Sequence, residues 1–131
     1  MSNLYREHIL DHARNPRYPG VLAPPCDVDY EAHNPLCGDY LRVTLRLDDT
    51  QRINAIAWDG EGCAISQATA SILSERLMSQ SLDQVLALTK DDILAMLNVP
   101  LTANREKCAL LALNALINGI HEAGITEGNE E

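Results

Sequence analysis

The amino-acid sequence predicts an α+β fold in which a small antiparallel β-sheet of about three strands packs against several α-helices. Residues 41–47 alternate between apolar and polar side chains, as expected of a strand with one buried face, and residues 53–58 form a second apolar run. Only five residues separate the two runs, and so short a connection favours antiparallel neighbours. From residue 65 onward the apolar residues recur at intervals of three and four, which is the helical period.

The first predicted element is a short amphipathic helix over residues 4–13, which ends at the Asn15-Pro16 pair. His8 and His12 stand four residues apart on this helix, a spacing at which two histidines can share a metal ion. Solvated or packed histidines are more common on helices, and we expect that role here. A turn-rich passage with several prolines and glycines follows the helix.

Three further segments complete the predicted sheet region. Residues 26–30 are a candidate strand, and the prolines just before them suit an edge position. Residues 48–52 turn the chain between the two stronger strand candidates. Residues 59–63 contain two glycines and are expected to form the next break.

The second half of the chain is predicted to be helical. One helix begins at or just after Cys63, where the apolar period changes. Each later helix follows a polar residue that can accept a hydrogen bond from the first turn. These helices run to Leu88 after a Ser81 cap, to about Leu97 after Thr89, and almost to Ala123 after Thr102 or Asn104.

Composition and charge restrict the class of protein. The 131 residues suit one domain, expected over residues 1–125, with a flexible acidic tail at 126–131. A net charge of −9 argues against nucleic-acid binding, which depends on clustered Lys and Arg. No apolar run approaches the roughly 18 residues of a membrane span, and the N-terminus does not resemble a signal peptide. We therefore expect a cytoplasmic protein.

The four cysteines are the main candidates for chemistry. They are expected to stay reduced in the cytosol, so metal binding or sulfur chemistry is more plausible than disulfide formation. The intervals between Cys37, Cys63 and Cys108 match no zinc-finger spacing, but each residue lies at a predicted junction between elements. A thiol near a helix N-terminus ionises more readily, and thiolates bind metals and attack sulfur. For these three, reactivity and simple burial are equally compatible with the sequence; for Cys26, burial as a small apolar residue is preferred.

The most informative stretch is Asn-Pro-Leu-Cys-Gly-Asp at residues 34–39. It places the soft thiol of Cys37 and the hard carboxylate of Asp39 on either side of Gly38, just before a predicted strand. Pro35 restricts the backbone ahead of the cysteine, and Gly38 allows a bend that can turn both side chains toward one point. Such a loop can hold a metal ion or expose a nucleophile.

Three motifs in order resemble those of the iron–sulfur cluster assembly scaffold family, which includes the NifU N-terminal, IscU and SufU proteins. The motifs are residues 34–39, Gly-Glu-Gly-Cys-Ala-Ile-Ser at 60–66 and Arg-Glu-Lys-Cys-Ala at 105–109. The N-terminal segment also resembles the family, so the likeness extends to Ala123. It implies a SufE/NifU-like fold in which Cys37, Asp39, Cys63 and Cys108 form one site for zinc or a transient iron–sulfur cluster.

The resemblance also implies a function. A member of this family accepts persulfide sulfur from a cysteine desulfurase, binds iron and passes a cluster to apo iron–sulfur acceptor proteins, acting as a scaffold rather than a classical enzyme. Likeness to SufU makes Cys37 the sulfur acceptor, and likeness to IscU makes Cys108 a competitor. The alternatives are a zinc-dependent sulfurtransferase that builds no cluster and a structural zinc module.

The sequence departs from both family types. Lys107 stands where IscU proteins have a histidine, and the interval between the second and third motifs is too short for the insertion usual in SufU. Lys107 could pair with Asp39 when the site is empty, help to keep a neighbouring thiolate charged, or face solvent. No Leu-Pro-Pro-Val-Lys motif precedes Cys108, so the resemblance gives no ground for dependence on the dedicated Hsp70 chaperone.

Overall fold

A computed structural model describes residues 3–35 and 38–124 of the chain. It confirms the α+β class, with a three-stranded sheet and helices before and after it. The predicted tail at residues 126–131 lies outside the described residues. In chain order the elements are α1 (Asn3–Arg14), β1 (Val28–Asn34), β2 (Asp39–Leu47), β3 (Ile53–Glu61), α2 (Ala64–Leu77), α3 (Leu82–Leu86), α4 (Lys90–Leu97) and α5 (Ala103–Glu122).

The sheet has the order β1-β2-β3 and is antiparallel throughout. An edge strand near residues 26–30 is confirmed, but its predicted bounds were wrong, because β1 begins at Val28 and continues to Asn34. Pro24 and Pro25 have no N–H group to donate, so regular pairing starts only after them. Beyond residue 30 the ladder continues as far as the pair formed by Asn34 and Asp39.

The predicted break at residues 59–63 was too long, because β3 continues to Glu61. Gly60 pairs with Leu41, and a Cβ built on Gly60 would lie 2.9 Å from the Leu41 Cα. This glycine therefore allows two backbones to approach closely instead of turning the chain. Only Gly62 and Cys63 separate β3 from α2.

The main core lies between one face of the sheet and the helices. Leu41, Val43 and Leu45 alternate along β2 and are almost completely buried. Gly119 of α5 lies against the Val28 and Tyr30 side chains, which puts α5 on this face, and α2 packs against β3. Together these contacts place the starts of β2, α2 and α5 near one end of the sheet.

The turn-rich segment between α1 and β1 covers part of the opposite sheet face. The Thr44 hydroxyl is completely buried there, where it accepts a hydrogen bond from the Leu22 N–H and donates one to the Ala57 carbonyl. The indole N–H of Trp58 donates to the Arg17 carbonyl at 2.7 Å. These bonds fix a segment with no regular secondary structure of its own.

The predicted helices are confirmed with small corrections. Ser81 and Thr89 each form a capping box with the residue three positions later. α3 ends at Leu86 instead of Leu88, because the Leu88 N–H bonds to the Val85 carbonyl and tightens the last turn. Thr102, and not Asn104, caps α5. None of the helices in the described part of the chain is long and apolar enough to cross a membrane.

α1 is attached to α2 through a buried histidine. His12 is only 1% exposed, and its Nδ1 lies 2.7 Å from the Ser71 hydroxyl, which also accepts the Arg17 N–H. The Ser71 hydroxyl can accept a second hydrogen bond or donate its own proton, so the tautomer of His12 decides which of the two groups donates. His8 is exposed. The expectation of a packed or solvated role for both histidines is thus confirmed, with one histidine in each role.

Candidate metal centre

Three of the four predicted site residues converge at the end of the sheet. Asp39 is the first residue of β2, Cys63 precedes α2 as its N-cap, and Cys108 lies on α5. One ligand atom from each residue lies within 4.8 Å of the other two. Cys37 lies outside the described residues, and in the chain only Gly38 separates it from Asp39. The four-residue site therefore remains a prediction at Cys37.

The β1–β2 hairpin positions Asp39. Asn34 and Asp39 are paired at the last rung of the ladder, and the Gly38 N–H donates to the Asn34 carbonyl at 2.9 Å. Asp39 is only 5% exposed, although it begins a strand. A buried carboxylate requires hydrogen-bond donors or a cation nearby, which is a feature of binding sites.

Asp39 also contacts the start of α2. Its Oδ2 accepts the Cys63 N–H at 3.3 Å, and Cys63 itself provides no side-chain cap for the helix. A Cβ built on Gly62 would lie 2.6 Å from Cγ and 2.7 Å from Oδ2 of Asp39, and still closer to the Ser66 hydroxyl. Only glycine at position 62 allows the carboxylate to come this close to the helix N-terminus, whose N–H groups favour negative charge.

The two described thiols have different surroundings. Cys63 is partly exposed, whereas Cys108 is 4% exposed. The sequence placed both at helix starts, but Cys108 is the sixth residue of α5 and lies in its second turn. The influence of the helix dipole falls off within the first turn, so it is weak at Cys108. Near Cys108 the notable polar neighbour is Asn34, whose Nδ2 donates to the Cys108 Sγ at 4.0 Å.

The donor set fits a thiophilic metal. Tetrahedral zinc with bonds of about 2.3 Å to sulfur and about 2.1 Å to oxygen requires ligand atoms about 3.5–3.8 Å apart. The separations within 4.8 Å need only small side-chain adjustments to reach this geometry. Thiolates select zinc or iron–sulfur clusters, and a single carboxylate is a harder, weaker ligand for both.

Other candidate residues lie elsewhere. The Cys26 thiol is directed to the Leu22 and Ala23 carbonyls, at 3.6 and 3.9 Å. Lys107 is exposed. Among the described ranges, no metal-ligating group that includes His8 or His12 was found.

Sequence reasoning missed two residues that support the site. Asn34 and Gly62 each belong to one of the cysteine motifs, but neither type of residue is a common metal ligand. The N–H donor of Asn34 reaches a sulfur 74 positions away, and the space that Gly62 leaves is filled by Asp39. Their place within the motifs is the signal that the sequence offers, whereas their contacts depend on the tertiary fold.

The fold and this cluster define a class of protein found in a known family. The family model for the NifU-like N terminal domain matches residues 4–124, which is nearly the whole chain. The chain therefore belongs to the NifU-like N-terminal domain family. This result confirms the resemblance drawn from the three cysteine motifs.

Individual relatives point to two activities. The chain is 34% identical to the zinc-dependent sulfurtransferase SufU of Bacillus subtilis (strain 168), over 92% of this chain and 91% of the relative. It is 30% identical to the iron–sulfur cluster assembly scaffold protein IscU of Streptococcus pyogenes serotype M1, over 92% and 84%. The crystal structure of a NifU-like protein (N-terminal) from Brucella abortus superposes with a TM-score of 0.73 at 25% identity, covering 93% and 95%.

The comparison with SufU also concerns chain length. That alignment is 137 positions long although it covers only 92% of the 131 residues, so the relative has residues that this chain lacks. The difference agrees with the absence of a SufU-type insertion noted from the motif spacing. The chain is thus similar to SufU and yet lacks some of the residues of that relative.

Proposed function

We propose that this protein is a scaffold for iron–sulfur cluster assembly, which receives sulfur from a cysteine desulfurase and delivers the cluster to apo-proteins in the cytoplasm. The observation that supports this most directly is the convergence of Asp39, Cys63 and Cys108, from three different elements, within 4.8 Å. Cys37 completes the proposed set of ligands. The cargo is iron and sulfide, bound transiently, with zinc as the alternative occupant.

The composition of the site suits temporary binding. Three thiolates would hold the iron or zinc ion firmly, whereas the Asp39 oxygen is the weakest partner for a soft metal centre. A stable structural zinc site more often has four cysteine or histidine ligands. A mixed site with one replaceable ligand is expected to release its cargo, as a scaffold requires.

Sulfur transfer needs an accessible thiol. In the proposed step the Cys37 thiolate attacks the terminal sulfur of the desulfurase persulfide, a new S–S bond forms on Cys37, the old S–S bond breaks, and the desulfurase thiolate leaves. The step consumes no oxidant or reductant. The burial of Cys108 argues against it as the first acceptor, and the choice of Cys37 follows from the resemblance to SufU.

A second function is supported by the Bacillus subtilis relative, which is named a zinc-dependent sulfurtransferase. In that case one zinc ion would occupy the same residues, and the protein would accept sulfur from the desulfurase without building a cluster. Exchange of one thiolate on zinc would free a cysteine for the incoming sulfur. The third possibility is a structural zinc module, in which the bound ion stabilises the fold and no sulfur is transferred.

One experiment separates these functions. The metal content of the protein purified without added metal is measured first, and the metal-free protein is then incubated anaerobically with ferrous iron, cysteine, a cysteine desulfurase and a thiol reductant that converts persulfide sulfur to sulfide. The scaffold proposal predicts a visible cluster chromophore that can be transferred to an apo-ferredoxin. A tightly held zinc ion, stimulation of the desulfurase and no chromophore would instead support the sulfurtransferase.

Variants identify the residues responsible. Cys37→Ser, Cys63→Ser and Cys108→Ser are each expected to abolish the chromophore, whereas Cys26→Ser, whose thiol is directed to the Leu22 and Ala23 carbonyls, should form it normally. Asp39→Ala should slow release of the cargo if the oxygen ligand promotes transfer. A structural module predicts lower stability for Asp39→Ala and no effect on sulfur flow.

A further inference from the structure

Asn34 lies beside the candidate site but is not one of its predicted ligands. It is the last residue of β1 and is 8% exposed. Burial of a primary amide is costly unless its polar atoms are hydrogen-bonded, so a buried asparagine at the end of an edge strand requires a structural or chemical reason. The contacts of Asn34 provide one.

Asn34 is connected to three parts of the site. It forms the last rung of the ladder with Asp39, its carbonyl accepts the Gly38 N–H and so closes the loop that contains Cys37, and its Nδ2 donates to the Cys108 Sγ. The first two contacts use the backbone, and any residue could provide them. The third depends on the amide side chain and is the only one of these contacts that joins the hairpin to α5.

The hydrogen bond to sulfur has a specific consequence. At 4.0 Å it is long, but a thiolate attracts an N–H group more strongly than a neutral thiol does, and hydrogen bonds to charged acceptors are shorter and stronger. Cys108 is nearly buried and lies beyond the first turn of α5, so the helix N-terminus provides little stabilisation for a negative sulfur there. Asn34 provides an N–H donor at that position.

We propose that Asn34 is a positioning residue for the metal or cluster, which holds the Cys108 thiolate in ligand geometry through its side-chain N–H. The inference rests on the proposed function, since it assumes that Cys108 is a ligand. Donors that orient a ligand typically change metal affinity by about 10–100-fold when they are removed. Removal of the Asn34 side chain is expected to lower metal affinity by a factor in this range, through its effect on Cys108 alone.

The test uses Zn²⁺ and Co²⁺ as probes on the full chain. Asn34→Ala and the similarly sized Asn34→Leu both remove the donor, and Leu keeps most of the buried volume. Each should lower zinc affinity by about tenfold or more in competition with a chromophoric chelator, and change the sulfur-to-cobalt charge-transfer band. The matched control is Asn114→Ala, which removes an exposed amide from α5, the helix that carries Cys108. It should leave both the zinc affinity and the charge-transfer band unchanged.

A double-mutant cycle separates positioning from general structural support. In a Cys108→Ala background, Asn34→Ala should cause less than about a twofold further loss of zinc affinity, because residue 108 then has no side-chain acceptor. An equal loss in both backgrounds, or unchanged affinity in Asn34→Ala and Asn34→Leu, would overturn this role while leaving the proposed site intact. A wild-type protein that binds neither probe would overturn the site itself and this role with it. Thermal unfolding of each metal-free variant verifies that it is folded.

Discussion

The carboxylate of Asp39 has two roles. It is a candidate ligand, and it also accepts the Cys63 N–H that begins α2. The carboxylate reaches this position only because residue 62 has no side chain, and the Ser66 hydroxyl, which donates to the Cys63 carbonyl at 3.0 Å, fills the rest of the space. The position of the Asp39 carboxylate therefore depends on Gly62, which is not itself a candidate ligand.

Gly62→Ala should disturb this arrangement. The added Cβ would overlap the Asp39 carboxylate and the Ser66 hydroxyl, so we expect the free energy of unfolding to fall by about 1–3 kcal/mol and zinc affinity to fall as well. Urea denaturation and zinc competition measure the two effects. Gly20→Ala is the control, because its Cβ meets no atom within 4 Å and only its positive φ causes strain. Unchanged zinc affinity in Gly62→Ala would contradict the crowding argument.

His12 should make stability depend on pH. Burial, with the nearby positive charges of Arg17 and His8, lowers the pKa of His12 below its usual value of 6.5, and the carboxylates of Glu75 and Asp11 only partly oppose this. The unfolded chain therefore binds the proton first as pH falls. The stabilising contribution of neutral His12 is complete above about pH 6.5 and is lost progressively below it, by at most about 1.4 kcal/mol per pH unit.

The measurement is urea unfolding of the metal-free protein between about pH 7.5 and about pH 5, a window above the usual range in which carboxylates titrate. His12→Gln should flatten the slope of unfolding free energy against pH. His121→Gln, an exposed substitution in the last turn of α5, should keep the wild-type slope. Identical slopes in all three proteins would rule out His12 as the titrating group.

At the scale of elements, helix starts and site geometry depend on different residues. Thr102 accepts the Arg105 N–H and fixes the beginning of α5, whereas Cys108 lies in the next turn and contacts Asn34 of β1. Thr89 caps α4, which has no candidate ligand, in a similar way. The stability of α5 and the position of its cysteine can therefore be perturbed separately.

Thr102→Ala and Thr89→Ala should each lower the free energy of unfolding by about 1 kcal/mol, since each removes the side-chain oxygen that caps a helix. Because Cys108 lies beyond the capped turn, Thr102→Ala should change zinc affinity by less than about twofold, whereas Asn34→Ala should change it by about tenfold. Chemical denaturation and zinc competition on the same preparations make the comparison. A loss of affinity in Thr102→Ala as large as that in Asn34→Ala would show that the cap also positions Cys108.

At the scale of the whole molecule, the site joins elements that are distant in sequence. Asp39 belongs to the sheet, Cys63 to the start of α2 and Cys108 to α5, so an ion bound by all three would link the sheet to both core helices. The unfolded chain does not hold these residues together. Binding should therefore favour the folded state.

Zinc at about 100 times its dissociation constant should raise the free energy of unfolding by about 2.7 kcal/mol, and a chelator should reverse the increase. Urea denaturation with and without zinc measures this difference. Cys63→Ser and Cys108→Ser should lose most of the increment, whereas Cys26→Ser should keep it. An equal increment in all three variants would indicate binding at another place on the chain.

Local patterns in the sequence predicted most of the fold. The alternation in residues 41–47, the caps at Ser81 and Thr89 and the change of period after Cys63 correspond to structure formed by near neighbours, and all were confirmed. Errors arose where long-range pairing overrides a local signal. Gly60 looked like a turn residue, yet it continues β3 because it pairs with Leu41.

The sequence by itself determined the family and offered the candidate ligands of the site, because the three cysteine motifs and their order are properties of the chain. The tertiary structure alone decided how Asp39, Cys63 and Cys108 meet, that Cys108 is buried, and that Asn34 and Gly62 support them. The physical reason is that composition and periodicity reflect interactions over a few residues. Distances between groups 24 to 74 positions apart depend instead on how the sheet and the helices pack.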